Sequence, residues 1–406
     1  MNSPEPLLKE ILKDALAHLQ EPLLFQNMLQ DPDGSHEWKL LEWDFSEFAD
    51  KLGNIKLPFR VGYNARLTSP QWERHCSVKY MTLQEFAENK EESEDEMWYY
   101  FDYKYMQEWF NDKPEILASL NWRKFGIDKD GSDSTLWIGS KGAHTNCHQD
   151  SYGYNLVAQI HGRKEWLLFP PSSSNFLEPT RIPYEESTVY SRFNFFCLSK
   201  EDEKKVLDVP YKPKVIILEP GDVLFVPWGW WHYVESLDHS MSINVWLPLK
   251  EDSRARLKEA LVKLTVATIG GQKYSASEDE DSDVSYYTGL IDAALQECKS
   301  DVENASEFPS VKRTKYSSWT VEDLITQYPE YVRPLHNLED RELQRFLQEK
   351  QERFPKSNST QKLPQQSTDI KTIPPLGTSL ESIINALCHP DVVTKAAELL
   401  LNNTQG

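Results

Sequence analysis

The sequence is short of several things, and each shortage excludes a class of protein. Its five cysteines (Cys76, Cys147, Cys197, Cys298 and Cys388) contain no C-x-x-C pair. That argues against a thiolate zinc site and a disulfide framework, and it suits a reducing compartment. No apolar stretch reaches the roughly 18 residues that a membrane-spanning helix needs, and no apolar run behind a basic flank stands near residue 1. The expectation is a cytoplasmic chain that crosses no membrane. Positive charge is also scarce: 44 Lys and Arg stand against 64 Asp and Glu, a net charge of −20. Such a surface repels phosphate backbones and disfavours nonspecific nucleic-acid binding.

Apolar bulk is present. The 406 residues include 13 Trp, 18 Tyr and 17 Phe, enough for a sizeable core and long for a single domain. Leu8, Ile11, Leu12 and Leu16 recur at helical spacing within residues 1–30. Residues 38–52 read as a second helix ending at Gly53, and 59–62 as an edge strand. Thr82-x-x-Glu85 is a capping box that starts another helix. Glu91, Glu92, Glu94, Asp95 and Glu96 read as a solvated acidic loop. The aromatic run Trp98, Tyr99, Tyr100, Phe101 is β-prone and reads mainly as core, as does Trp122.

The stretch with the most chemistry is 144–150. His148 and Asp150 are two apart, so on an extended backbone both side chains leave one face. A metal held there lacks a third protein ligand, and His232 offers one after a second turn-and-strand unit. Two imidazoles and one carboxylate on one face of an octahedron leave three positions open, a set suited to Fe(II) that must bind a cosubstrate and O₂ together. A chance His-x-Asp tripeptide is the bland alternative. The same donors could also hold Zn²⁺, but no general base is evident beside them. Cys147 reads either as a redox-sensitive thiol near the metal or as a small buried hydrophobe.

The flanking segments add context. Residues 155–160, a turn containing Gly162, and 164–169 before Pro170-Pro171 read as a β-hairpin. Residues 215–218, the turn Glu219-Pro220-Gly221-Asp222, residues 223–226, and 241–246 add further short strands, while 172–213 reads as a loop region. Short strands joined by Pro-Gly turns indicate a mainly β, double-sheet architecture of the jelly-roll kind, in which distant strand ends can converge on one metal.

Gly142-x-x-x-Thr145-x-x-His148-x-Asp150, the strand from Lys164 to Pro170-Pro171, and Pro220-Gly221-Asp222-x-Leu224-x-x-Pro227-x-x-Trp230-Trp231-His232 together resemble a JmjC domain. The resemblance covers about residues 20–250 and points to the small cupin-like hydroxylases. It implies a double-stranded β-helix (jelly roll, or cupin) with N-terminal helices and a C-terminal helical region. It also implies an oxygenase using Fe(II) and 2-oxoglutarate, with His148, Asp150 and His232 holding the metal. In such hydroxylases the far carboxylate of the cosubstrate meets a lysine, here Lys164, together with a threonine, here Thr145, and a tyrosine. Tyr100 is the match for the tyrosine, with Tyr99 one register away. Asn155 and Asn244 match the asparagines lining the cosubstrate pocket. Plain alternatives are a surface role for Lys164 and a strand-edge amide for Asn244. His144 reads as structural, and His161 as a turn or pocket-rim residue.

The layout of the whole chain is similar to a JmjC branch associated with a small heat-shock protein. That similarity implies such a partner and a place in the stress response. A non-catalytic interaction protein that binds and inhibits the small heat-shock protein is the alternative function. The expected organisation is 1–97 (N-terminal helices and edge strands), 98–250 (barrel core) and 251–352 (helices, with an acidic serine-rich insert at 275–285). A linker at 353–377 and a helical pair at 378–406 complete it. Residues 254–267 read as an amphipathic helix, and 286–352 as about three helices, one starting at Thr320-x-x-Asp323. In the tail, Thr378-x-x-Glu381 caps a helix with Leu380, Ile383, Ile384 and Leu387 on one face; Leu399 and Leu400 lie beyond Pro390. That face either closes a homodimer, as in related hydroxylases, or packs on the chain's own barrel.

Overall fold

The computed structural model describes residues 5–30, 35–88, 96–271, 284–307, 315–354 and 379–403. The acidic stretch 91–95, the insert at 275–283, the segment 355–377 and Thr378 lie outside the described residues. Among the described residues, sixteen strands follow in chain order: β1 Leu23–Phe25, β2 Leu57–Tyr63, β3 Ser77–Met81, β4 Met97–Tyr105, β5 Thr135–Gly139, β6 His144–Asp150, β7 Tyr154–His161 and β8 Lys164–Phe169. The second half comprises β9 Pro179–Glu185, β10 Thr188–Ser191, β11 Lys214–Leu218, β12 Val223–Val226, β13 Trp231–Ser236, β14 Ser240–Leu247, β15 Val332–Pro334 and β16 His336–Asn337. They form two antiparallel sheets, in the orders β15-β1-β12-β7-β14-β5-β4-β2-β3 and β16-β11-β8-β13-β6-β10-β9. This is the mainly β jelly roll expected, flanked by helices at both ends of the chain.

From β5 to β8, and again from β11 to β14, consecutive strands alternate between the sheets, and that corrects the hairpin reading of 155–169. β7 pairs with β12 and β14, whereas β8 pairs with β11 and β13. The turn between them carries the chain from one sheet to the other. Gly162 makes that turn at φ +60°, and a Cβ there would meet the His239 carbonyl oxygen at 2.0 Å.

Three further expectations need correction. The strand at 59–62 is not an edge: β2 is paired on both sides, and β3 beyond it is the edge strand. The region 172–213 holds β9, β10 and a helix Lys200–Leu207, and β10 pairs directly with β6. Finally, 286–352 is not helical throughout. β15 pairs with β1 and β16 with β11, so this late segment adds one strand to each sheet.

The helices follow their caps and apolar faces. Residues 5–15 form a helix whose Leu8, Ile11 and Leu12 are buried in one cluster with Phe25, Trp122 and Phe225. Phe45–Leu52 is capped by Asp44 and stopped at Gly53; the rest of the expected 38–52 helix is a 3₁₀ turn at Lys39–Leu41. The Thr82–Glu85 and Thr320–Asp323 capping boxes are both formed. Asp252–Thr265 and Val284–Glu307 are helices that share a cluster including Leu257, Ile291 and Leu295. Ser379 caps Leu380–Leu387, which packs on β9: Asn385 accepts a hydrogen bond from the Arg181 amide at 2.8 Å. None of the described helices is long and apolar enough to cross a membrane.

Candidate metal and cosubstrate site

Strand pairing brings the three proposed ligands together. His148 on β6 lies directly opposite His232 on β13, and Asp150 is two residues on from His148. The imidazole centroids are 4.1 Å apart, and His148 Nε2 is 3.6 Å from Asp150 Oδ1. One donor atom from each of the three residues lies within 4.8 Å of the others. The Nδ1 of His148 is 2.8 Å from the Asn146 carbonyl oxygen, and that of His232 is 3.1 Å from the Trp230 carbonyl oxygen. With Nδ1–H donating to a carbonyl, each ring turns an unprotonated Nε2 toward the common centre. Burial, with the neighbouring His148, brings His232 down to about 4, so this ring is a neutral donor at physiological pH. The Trp246 indole N–H donates to Asp150 Oδ2 at 3.2 Å and orients that carboxylate. The donor set therefore fits a divalent transition metal.

A slip in β6 sets the rest of the site. His232 pairs with His148 but Val234 pairs with Thr145, so β6 spends three residues where β13 spends two. That bulge lets Thr145 and His148, three apart, face one cavity. His144 ends up elsewhere, its Nδ1 2.9 Å from the Gly142 carbonyl and its ring stacked on Phe196 at 4.2 Å. Burial holds its imidazole down near 3, so His144 is a neutral core residue. Cys147 is likewise fully buried in an apolar cluster, and burial pushes its thiol up. His161 does not line the cavity; its ring meets Phe45 edge-on at 4.4 Å.

The cavity, about 870 Å³, is lined by all eight residues singled out from sequence. Lys164 is 1 % exposed and reaches from β8 across the sandwich. Its Nζ donates to Ser242 Oγ at 2.7 Å and to the Tyr100 hydroxyl at 3.4 Å. Tyr100 shares a further hydrogen bond with Thr145. Tyr99, one register away, lies in the core on the opposite face of β4. Among the described residues no carboxylate pairs with Lys164, and burial brings its ammonium down to about 7. A buried lysine among hydroxyls, with no carboxylate in direct contact and only the Arg60-paired Asp102 acting on it from a distance, fits a ligand carboxylate. Asn244 donates to Asn155 Oδ1 at 2.8 Å and accepts from the Trp137 indole at 2.7 Å.

Sequence reasoning missed Ser242, Trp137, Trp246 and Tyr103. The first and third were legible, because Ser242, Asn244 and Trp246 alternate along β14 and share one face. Tyr103 was not. It holds φ +54° in a bulge where β4 slips against β5, between Phe101 and Lys104. A bulky residue in that region is strained by roughly 1–3 kcal/mol, as at many ligand sites.

Residues 9–252 match the family described as a cupin-like domain. The chain belongs to that family. It is 42 % identical over 279 residues to HSPB1-associated protein 1 of Rattus norvegicus, an alignment covering 65 % of this chain and 56 % of the rat protein. The HSPB1-associated protein 1 homolog of Danio rerio is 36 % identical over 338 residues, covering 77 % of this chain and 73 % of that one. More distant is the 2-oxoglutarate and iron-dependent oxygenase JMJD4 of Danio rerio, 33 % identical over 119 residues, 27 % of this chain and 25 % of that protein. The chain spans about half the length of the mammalian relatives it matches.

Proposed function

We propose that this cupin-like protein is an oxygenase dependent on Fe(II) and 2-oxoglutarate, of the hydroxylase type. What carries the reading is one cavity that holds both a three-donor set (His148, Asp150, His232) and a buried lysine that makes no direct ion pair among the described residues. The three donors would hold the iron. Lys164, with Thr145 and Tyr100, would anchor the far carboxylate of 2-oxoglutarate, and Asn155 and Asn244 would line its stem. When bound, iron and cosubstrate would supply, with O₂ as the four-electron oxidant, hydroxylation of a C–H bond coupled to decarboxylation of 2-oxoglutarate, one oxygen atom going to the C–H and the other to succinate as CO₂ leaves. The protein contributes orientation. Trp246 fixes the Asp150 carboxylate, and the backbone carbonyls fix both imidazoles. The test is succinate formation by purified protein with Fe(II) and 2-oxoglutarate, set against the His148→Ala variant; equal turnover by the two would overturn the assignment.

Lys164→Ala should weaken 2-oxoglutarate binding by about ten- to a hundredfold, the worth of a charge-assisted hydrogen bond of roughly 1.5–3 kcal/mol. Metal uptake should stay intact. The wild-type titration carries a second signature. Because the free lysine loses its proton near 7, cosubstrate affinity should be level below that pH and fall above it, since the carboxylate then has to recharge the amine. Titrating 2-oxoglutarate into the Mn(II)-loaded protein from pH 6 to 9 measures both effects. A flat profile would place the anchor elsewhere.

The relatives named HSPB1-associated protein 1 favour a second role, binding of a small heat-shock protein in the stress response, with or without catalysis. We place the protein in the cytoplasm, a compartment that suits its five free thiols. We also propose a homodimer through the C-terminal helices. Ile384, Cys388 and Val393 are buried against Ile182, Tyr184 and Val262, yet Leu380, Ile383, Leu387, Val392 and Leu399 are each 41–51 % exposed. A second copy covering them would gain part of the roughly 1.5–3 kcal/mol that burying each such side chain yields. Ile383→Asp with Leu387→Asp should halve the mass seen by light scattering; unchanged mass would leave that face to another partner.

A further inference from the structure

Beside the lysine anchor the cavity holds a charged pair to which the proposed chemistry gives no role. Arg60 on β2 stands opposite Tyr100 on β4, and Asp102 lies two residues on from Tyr100. All three line the cavity together with Lys164. Arg60 is 5 % exposed, and its guanidinium has two fixed partners. Its Nε donates to Asp102 Oδ2 at 2.8 Å, and its Nη2 to the His144 carbonyl oxygen at 3.1 Å. It also stands over the Trp98 and Tyr100 rings, at 5.0 and 5.6 Å from their centroids. A planar guanidinium held at several points keeps the Asp102 carboxylate in place, short of an ion pair with Lys164.

That separation has a chemical use. An ammonium has three N–H donors, and Lys164 directs two at Ser242 and Tyr100, which leaves one for a ligand. A carboxylate in direct contact would take that donor and would have to be displaced. One held further back supports the positive charge and leaves the donor free. The other groups around Lys164 do not share this role. From β6 and β14 come the hydroxyls of Thr145 and Ser242, and from β11 the apolar Leu218. Burial pushes the Tyr100 phenol up, so it stays neutral. On β13 His232 is neutral, and Glu235 is taken by Lys350 and Arg353; Glu165, next to Lys164 on β8, is taken by Lys350 as well. Burial weakens the hold of Lys164 on its proton, and Asp102 strengthens it.

We propose that Asp102, gripped by Arg60, is a positioning residue of the cosubstrate site: its charge keeps Lys164 an ammonium in the empty pocket, with a free donor for the far carboxylate of 2-oxoglutarate. This rests on the oxygenase reading and adds to it a residue that touches neither metal nor cosubstrate.

The test titrates 2-oxoglutarate by calorimetry into the Mn(II)-loaded full chain, as wild type, Asp102→Asn and Asp102→Glu, from pH 6 to 9. Asparagine keeps the shape and an acceptor for Arg60 but removes the charge. The ratio of Asp102→Asn affinity to wild-type affinity should fall by about twofold or more across that range. The amine of the variant loses its proton at lower pH, and the ligand then has to restore it. Asp102→Glu, which keeps the charge, should track wild type. The neutral pair Arg60→Gln with Asp102→Asn should show the same fall as the single variant, and makes the measurement if that variant does not fold. A ratio level with pH would overturn the proposal, because lost shape or stability weakens binding equally at every pH. So would an equal fall in Asp102→Glu. If the wild type takes up Mn(II) but binds no 2-oxoglutarate, the oxygenase reading itself fails, and the role of Asp102 with it.

Discussion

Protein carrying His148→Ala or Asp150→Ala, loaded anaerobically with Fe(II) and desalted, should retain almost no iron, whereas the wild type should retain close to one equivalent. Three protein donors are the minimum for a site with three open positions, and two do not hold a labile ferrous ion against dilution. The fold should survive the loss. His148 and Asp150 are only partly buried, at the cavity end of β6, and neither belongs to an apolar cluster. In the absence of metal, His148 crowds the neutral His232 ring, so its removal should cost little. Elemental analysis beside a thermal melt separates loss of site from loss of fold. Full iron occupancy in a folded His148→Ala protein would show that the metal, if any, sits elsewhere.

How much of this was legible depends on the distance over which the chain encodes it. His148 and Asp150 could be read because alternation along a strand is a local rule. His232 could be read as the missing third ligand, but not that it would lie directly opposite His148; that pairing belongs to the sheet. The bulge in β6 was invisible. A strict period of two puts Thr145 and His148 on opposite faces, and only one extra residue in the pairing brings them together. The Thr-x-x-His spacing was therefore informative through resemblance alone. β15 and β16 have three and two residues, too short for any periodic signal, and they acquire strand geometry from the edges they meet. The crossing of β7 to β8 was mistaken for a hairpin because a glycine turn between two apolar runs looks alike whether the strands pair or part. The unpaired Lys164 was a matter of composition in three dimensions: its partners Ser242 and Tyr100 come from the other sheet.

The helix Asp340–Glu352 gives the second large effect, one that a reading of the barrel core alone would miss. Glu235 on β13 lies directly opposite Glu165 on β8, two like charges across a strand pair, with Glu235 1 % exposed. Lys350 from the helix pairs with both carboxylates, at 2.8 Å to Glu235; Arg353 adds a second cation, and the Tyr233 hydroxyl donates at 2.9 Å. Burial alone would raise Glu235, but Lys350 and Arg353 more than offset it and hold the carboxyl down near 2. Lys350→Met should therefore destabilise the protein by about 3–5 kcal/mol, because it leaves two carboxylates facing each other with half their compensation gone. The denaturant midpoint should fall with an unchanged slope, and the double variant Lys350→Met with Glu235→Gln should recover part of the loss. The pH dependence has a fixed sign. Glu235 has its folded pKa below its ordinary value of 4.5, so its contribution is complete above that pH and is lost as pH falls toward 2. Wild type should weaken over that window, and the double variant should weaken less. A Lys350→Met protein as stable as wild type at pH 7 would mean that Arg353 alone neutralises the pair, and that this helix is no structural part of the barrel.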